Sequence, residues 1–388
     1  MTRSMRGSAA IVGIGQTPYY KRGTSPDAEM KLALRAIVSA CDDAGIDPRD
    51  VDGFVSYGSE HNTGQKLVPG LGTRELRFGA LAWTHGGGIP AAVGIAAAAI
   101  HAGQADVVAV YRAMAEGSNQ RLRVAVTQND TPAQFLVNGI DMVMQRSAMR
   151  SRRMIEVDGV PAETLETIAR VSYYHAQNNS GAVGHGRMLT HEQYAGSRFI
   201  SEPYHLFDCS RENDGAAALI LVSADRARDL KQKPAYVLSV PMGAGADGGS
   251  REDNHEPYTS VGMIGLAKRM WAESGYGPAD VDVAQIYENF TGMAVQSIID
   301  HGFCTAQTAG DFVTFDNLIA PSGSLPINTS GGNIADGFIH GMGSMVEAVR
   351  QIRGTSTNQV PGAKLSMMAG GPGDSMTSTG LFGAFETL

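Results

Sequence analysis

Apolar residues fall in short runs between glycines along most of the chain. Ala9 to Gly15, AAIVGIG, predicts a buried strand that ends in a glycine turn. Glu29 to Ala44 carries apolar residues at helical spacing, with Met30, Leu32, Leu34, Ile37, Val38 and Cys41 marking one face and Gly45 stopping the helix. Gly53 to Tyr57 reads as a strand. Trp83-Thr84-His85-Gly86-Gly87-Gly88 then opens a small-residue helix, Ala91 to Ala102, which Gly103 caps. Ala105 to Tyr111, ADVVAVY, predicts a second buried strand. From 112 to about 205 the pattern turns polar and rich in Met and Arg, with a helix over Glu163 to Asn178; this predicts a helical insertion, or lid, on the core. Asp208 to Val222 gives a loop and then a strand, and Lys231-Gln232-Lys233-Pro234 is the candidate hinge between two halves.

After Pro234 the pattern starts again. Residues 235–240 predict a strand like the first, and a helix spans about 262–274. Ser274-Gly-Tyr-Gly-Pro278-Ala-Asp280-Val281-Asp282 repeats Ala44-Gly-Ile-Asp-Pro48-Arg-Asp50-Val51-Asp52, and the same offset sets Tyr57 opposite Tyr287. Gly331-Gly332 precedes a helix at about 341–352 as Gly87-Gly88 precedes its own, and strands follow at 364–368 and 379–385. A βαβ-rich unit used twice predicts two similar halves, 1–230 and 231–388, packed together.

The chemistry is expected at Val281 to Gly292, VDVAQIYENFTG. A strand runs there straight into Tyr287-Glu288-Asn289, and ligands gather at the carboxyl ends of strands in open α/β sheets.

The bulk numbers narrow the class. A chain of 388 residues, 43% hydrophobic and 18% charged, can bury a sizeable core. The net charge of −8 comes without a basic arm, which argues against nucleic acid as a partner. Three cysteines, Cys41, Cys209 and Cys304, form no CxxC pair, so a reducing, cytoplasmic setting is expected. The longest apolar stretch, Ile89 to Ile100, falls short of the roughly 20 residues that a membrane span needs.

The duplicated halves, the GG-opened helices, IVGIGQTPYYKRG near the start, DGAAALILVS at 214–223 and LPINTSGGNIADGFIHG at 325–341 resemble the thiolase superfamily over nearly the whole chain. The sterol-carrier-protein and lipid-transfer-protein types are nearest. The resemblance implies a duplicated, five-layer αβαβα fold. It also shows what has been lost. The nucleophilic-cysteine position reads Thr84-His85-Gly86-Gly87-Gly88, and the second reads Met368-Ala369-Gly370-Gly371-Pro372-Gly373. The GHP histidine is replaced by Gly337-Phe338-Ile339, with His340 two places later, and the NEAF asparagine is matched by Tyr287. Covalent acyl transfer needs a nucleophile, so a ping-pong thiolase reaction is not expected.

This substitution pattern looks like the thiolase-like aldolases that cleave a steroid-derived 3-hydroxyacyl-CoA to a ketone and a short acyl-CoA such as propionyl-CoA or acetyl-CoA. It implies no cofactor, with acyl-CoA as substrate, and Tyr287 as acid or base. His340 and His85 are further catalytic candidates. Glu288, Asn289, Gly86, Gly370, Gly371 and Phe338 are candidates for binding substrate or the developing oxyanion. A second Tyr in related aldolases is Phe338 here. The resemblance also implies a homodimer, an OB-fold, zinc-ribbon acyl-CoA-associated partner and a MaoC-like hydratase, fused or associated. Because the insertion covers CoA in thiolases, Arg146, Arg150, Arg152 and Arg153 are candidate phosphate contacts.

Plainer alternatives stand beside these. Tyr287 is able to pack like Tyr57, His340 to cap, Glu288 and Asn289 to satisfy backbone groups, and the arginines to form a solvated helix face. The chain as a whole also fits a cysteine-independent C-acyltransferase or a non-catalytic acyl-CoA-binding subunit.

Overall fold

The computed structural model describes residues 4–84, 88–115, 133–245, 257–260, 262–371 and 376–388. The first half contributes strands β1 (Ala9–Gln16), β2 (Gly53–Tyr57), β3 (Phe78–Ala82), β4 (Val108–Met114) and β5 (Asn213–Ser223). Its main helices are α1 (Glu29–Ala44), α2 (Ile89–His101), α3 (Val143–Glu156) and α4 (Glu163–Ala176). The second half adds β6 (Ala235–Ser239), α5 (Met263–Ser274), β7 (Val283–Ile286), α6 (Thr291–Asp300), α7 (Met342–Arg353), β8 (Leu365–Ala369) and β9 (Thr377–Gly383).

The duplication is visible in the strand order, which runs β7-β8-β9-β6-β1-β5-β4-β2-β3. Outward from the β1–β6 junction, each half places its last strand, then its penultimate one, then its second. β3 pairs parallel with β2, and Ile327 makes the matching parallel bridge to Ala284 of β7. The half-sheets join where Ala10 and Ile11 face Tyr236 and Ala235. The buried helices α2 and α7 are packed between the half-sheets, with α1 outside one and α5 outside the other. The layers are therefore helix, sheet, helix, sheet, helix.

Small residues set the spacing of the outer layer. A Cβ on Gly13 or Gly15 would stand 2.1 or 2.2 Å from the carbonyl oxygens of Ala40 and Ala36, so α1 rests directly on the β1 backbone. The buried face of α1 is accordingly Leu32, Ala33, Ala36, Ile37, Ala40, Cys41 and Ala44. Met30 and Val38, expected on that face, are 45% and 37% exposed. The helix turns its small residues inward because only they permit the close approach.

Two other expectations shift. β4 continues through Arg112 to Met114 with every residue buried, so the insertion begins later than residue 112. Gly331-Gly332 opens not α7 but a separate wide helical turn, Gly332–Asp336, while α7 itself falls at the expected place, after Gly341. Of the insertion, α4 packs on α6 and on that turn, and α3 lies against α6. No helix among the described residues is long and apolar enough to cross a membrane.

Candidate active site

β7 and β8 run parallel, from Val283 beside Ser366 to Ile286 beside Ala369. Tyr287 follows at the carboxyl end of β7, and its N–H donates to the Ala369 carbonyl at 2.9 Å, one register step beyond the strand. Its side chain is buried. The ring is held between two glycines: a Cβ on Gly371 would come within 2.8 Å of Cδ1, and one on Gly341 within 3.0 Å of Cδ2. Tyr287 therefore stands at adjacent carboxyl strand ends, the position where ligands gather in open α/β sheets.

A row of rings leads from Tyr287 into the other half. Its centroid lies 6.2 Å from that of Phe338, Phe338 stands edge-on to His340 at 4.9 Å, and His340 stands edge-on to Tyr57 at 5.1 Å. Tyr57 ends β2 as Tyr287 follows β7, so the repeat brings both tyrosines into one buried cluster. The Tyr57 hydroxyl hydrogen-bonds His340 Nδ1. Arg112 Nε–H also points to Nδ1, at 3.4 Å, and the guanidinium lies 5.1 Å from the Tyr57 ring centroid. Arg112 is paired in turn with Glu60, Nη1 to Oε2 at 3.0 Å, both side chains being buried. Glu60 further accepts the N–H groups of Ala113 and Asn62 at 3.1 and 2.9 Å.

The electrostatics follow from burial. Burial pushes the His340 imidazole down to about 4, so it is neutral near pH 7. Its backbone sits at φ 52, a left-handed conformation uncommon outside glycine. Burial raises the Glu288 carboxyl to about 8. Glu288 lies under the Gly332–Asp336 turn, accepting from Asn333 Nδ2 at 3.2 Å and the Ile334 N–H at 3.3 Å. All three thiols are held protonated by burial, Cys41 and Cys209 at about 12 and Cys304 at about 11. None is set up as a nucleophile.

Tyr287, Phe338, His340 and Gly371 come together. His85 and Gly86 lie outside the described residues. The Gly370 N–H is committed to the Ser378 carbonyl at 2.8 Å, so sheet pairing and not an oxyanion takes that donor. Asn289 is half-buried; its Oδ1 accepts the Phe290 N–H at 3.0 Å and its carbonyl accepts the Ser210 N–H at 2.9 Å. It works as a turn residue.

The four arginines behave unlike one another. Arg150 is buried, donates to the Tyr258 carbonyl and stacks 4.6 Å over the Tyr258 ring. Arg152 pairs with Glu202 at 2.8 Å and Glu156 at 3.4 Å, and Arg146 lies 4.8 Å over the Phe135 ring. Arg153 is half-buried on the same helix. Tyr57, Glu60 and Arg112, which motif reading missed, form the polar cluster around His340 Nδ1. The repeat was the available signal for Tyr57, whereas Glu60 and Arg112 look like ordinary surface charges in the sequence.

A buried, cysteine-free site of this shape between two duplicated α/β halves defines a thiolase-like protein. The sequence pattern of the family described as "Thiolase C-terminal domain-like" matches residues 252–381. The chain is 36% identical over 382 residues to a 17-hydroxy-3-oxo-4-pregnene-20-carboxyl-CoA lyase of Mycobacterium tuberculosis, covering 95% of this chain and 97% of that one. It is 37% identical over 363 residues to a steroid side-chain-cleaving aldolase of Thermomonospora curvata, covering 91% and 92%. A solved structure described as "Ltp2-ChsH2(DUF35) aldolase" superposes over the full length of both chains with a TM-score of 0.91 and 34% identity. The chain belongs to the thiolase superfamily, in the group of the steroid side-chain-cleaving aldolases.

Proposed function

We propose that this chain is a carbon–carbon lyase that cleaves a steroid-derived 3-hydroxyacyl-CoA to a ketone and a short acyl-CoA, propionyl-CoA or acetyl-CoA. The observation that carries the reading is Tyr287, a buried phenol at the carboxyl end of β7 in a thiolase-like site without a reactive thiol. The step balances with acid–base chemistry alone. A base takes the hydroxyl proton, the freed O–H electron pair forms the ketone C=O, and the C–C pair moves to the α-carbon, giving the thioester enolate. A proton then returns to the α-carbon, and nothing is oxidised or reduced overall. Tyr287 is assigned the proton transfer, and His340 the role of its polar partner at the enolate. The reaction written this way calls on no metal or organic cofactor.

The assembly is proposed to be a homodimer that also carries a DUF35-type acyl-CoA-associated partner, together with a MaoC-like hydratase. Support for the dimer is the edge strand β3, whose outer side pairs with nothing among the described residues and which carries Leu81, 42% exposed, between Leu76 and Trp83, 43% and 82% exposed. Support for the DUF35-type partner is the likeness to the aldolase complex. Light scattering on the chain alone, and co-purification with a co-expressed DUF35-type protein, test the two parts separately.

The activity is tested by offering 17-hydroxy-3-oxo-4-pregnene-20-carboxyl-CoA to the co-purified complex and following the products by mass spectrometry. The expected result is a C17 ketone plus propionyl-CoA, with Tyr287→Phe slowed by at least about a hundredfold. Equal rates for wild type and Tyr287→Phe sink the mechanism.

A further inference from the structure

The polar cluster on the first-half side of the site has an arrangement that the acid–base reading leaves unused. Three observations bear on it. First, two groups converge on one edge of His340: the Tyr57 hydroxyl and the Arg112 Nε–H both point to Nδ1. The guanidinium N–H has no acceptor capacity, so Nδ1 has to be the accepting nitrogen. A neutral imidazole with Nδ1 accepting carries its proton on Nε2. Second, nothing among the described residues takes Nε2, while His340 keeps 9% of its surface exposed and packs on Phe338, whose ring in turn lies against Tyr287. Third, residue 340 is held at φ 52, and it is followed by Gly341 at φ 82. A non-glycine residue in that region is retained where the surrounding structure over-determines it, and such positions gather at functional sites.

We propose that Tyr57 and the Arg112–Glu60 pair are positioning residues that lock His340 as a neutral Nε2–H donor, and that this N–H, rather than a His340 base, holds the enolate oxygen. The inference rests on the retro-aldol reading for its substrate, but the tautomer itself does not. Burial agrees with it, since an imidazole that resists protonation is a poor proton carrier and a steady donor. The Glu60 carboxylate balances the Arg112 charge, so the cation is kept close without being free to roam. Arg112 in turn lies against the Tyr57 ring face, which fixes the phenol that faces Nδ1. The arrangement joins the halves: β2 and β4 supply Tyr57 and Arg112, and the segment before α7 supplies His340. The duplication thus gives the first half's tyrosine a task different from that of its counterpart, Tyr287.

Two measurements decide it. In the 15N spectrum of histidine-labelled full chain, the His340 signal is assigned by its loss in His340→Gln. The expected pattern is one bare and one protonated nitrogen, with the proton on Nε2 throughout about pH 6 to 8. A proton on Nδ1 in the wild type overturns the proposal, whatever the activity. Kinetics with the co-purified complex and the pregnene carboxyl-CoA supply the second. Loss of one oxyanion donor costs about 10²–10³ in kcat, so His340→Ala is expected to fall by that much. His340→Gln retains a side-chain N–H donor but has no basic nitrogen, and it is expected to fall by only about tenfold. Tyr57→Phe, which removes the hydroxyl and keeps the ring, is expected to lower kcat about tenfold with KM within about twofold. If His340→Gln is as impaired as His340→Ala, or if Tyr57→Phe raises KM with kcat unchanged, the assignment fails. A wild-type complex that does not turn over sinks the retro-aldol reading instead, and the nitrogen spectrum still decides the tautomer.

Discussion

The ring of Tyr287 lies so close to Gly371 that a Cβ there would stand 2.8 Å from its Cδ1. Gly341 makes the same approach on the other edge, at 3.0 Å from Cδ2. The phenol ring is thus gripped on both edges by backbone. Gly371→Ala is expected to displace the ring and cut kcat by about a hundredfold, because angstrom-scale misplacement carries that penalty. Gly265 in α5, where a Cβ would meet nothing within 4 Å, is the control. Gly265→Ala is expected to keep full activity and to raise stability by about 0.5–1 kcal/mol. Steady-state kinetics and thermal unfolding of the two variants check both. A fully active Gly371→Ala would mean that the ring is not positioned in this way.

Much of this arrangement was legible beforehand, for reasons that differ from residue to residue. Tyr287 stood out because an apolar strand ended on a polar cluster, and the repeat gave it a twin. The two similar halves followed from the same repeat. The face of α1 was misread because hydrophobicity was weighed above size, and Gly13 and Gly15 reward small residues. Arg112 was assigned to the insertion because a charge normally ends a buried strand. Its partner, Glu60, lies 52 residues away in the chain, and no local pattern announces such a pair. The Gly370 N–H was an oxyanion candidate because glycine turns often offer free donors, and only the register shows it paired to Ser378.

The Arg112–Glu60 pair supports a stability prediction that does not depend on catalysis. Both side chains are buried, so removing one charge strands the other. Glu60→Gln keeps the shape but has one acceptor oxygen where Ala113 and Asn62 donate to two, and it leaves the guanidinium uncompensated. A loss of about 3 kcal/mol is expected in denaturant unfolding. A change below about 1 kcal/mol would mean that the guanidinium finds compensation elsewhere.

The arginines of α3 separate into structural and surface roles. Arg150 is buried and holds the Tyr258 carbonyl and ring, tying α3 to residues 257–260. Arg150→Ala is expected to cost about 2–3 kcal/mol, since it opens a void and leaves a carbonyl without its charged donor. Arg152, paired with Glu202 and Glu156 while 40% exposed, is expected to cost less than about 1 kcal/mol on Arg152→Ala. If Arg152 contacts a CoA phosphate, the same variant raises KM at low salt and the difference shrinks as salt is added. An unchanged KM at every salt concentration removes it from the binding surface.

Buried titratable groups fix how stability varies with pH, and their signs oppose one another. Burial raises Glu288 to about 8 and Asp300 and Asp336 to about 7, so these carboxyls stay protonated in the folded chain after their unfolded counterparts have ionised. The unfolded state then binds fewer protons, and each carboxyl draws stability down as pH rises from its ordinary value, near 4, to its folded one. His175, His301 and His340 are pushed to about 4 by burial, against an ordinary 6.5. Below 6.5 the unfolded chain takes up protons that the folded chain refuses, so the histidines draw stability down as pH falls toward 4. From about pH 4.5 to 6.5 the two sets largely cancel. Above 6.5 the histidine contribution is flat and the carboxyls alone remain, so Tm is expected to fall between about pH 6.5 and 8. Glu288→Gln removes the group that titrates highest, and its Tm should fall less over the same interval. Thermal scans across that interval check the sign: a wild-type Tm that rises from pH 6.5 to 8, or a Glu288→Gln variant with the wild-type slope, would show that these carboxyls are not held protonated in the fold.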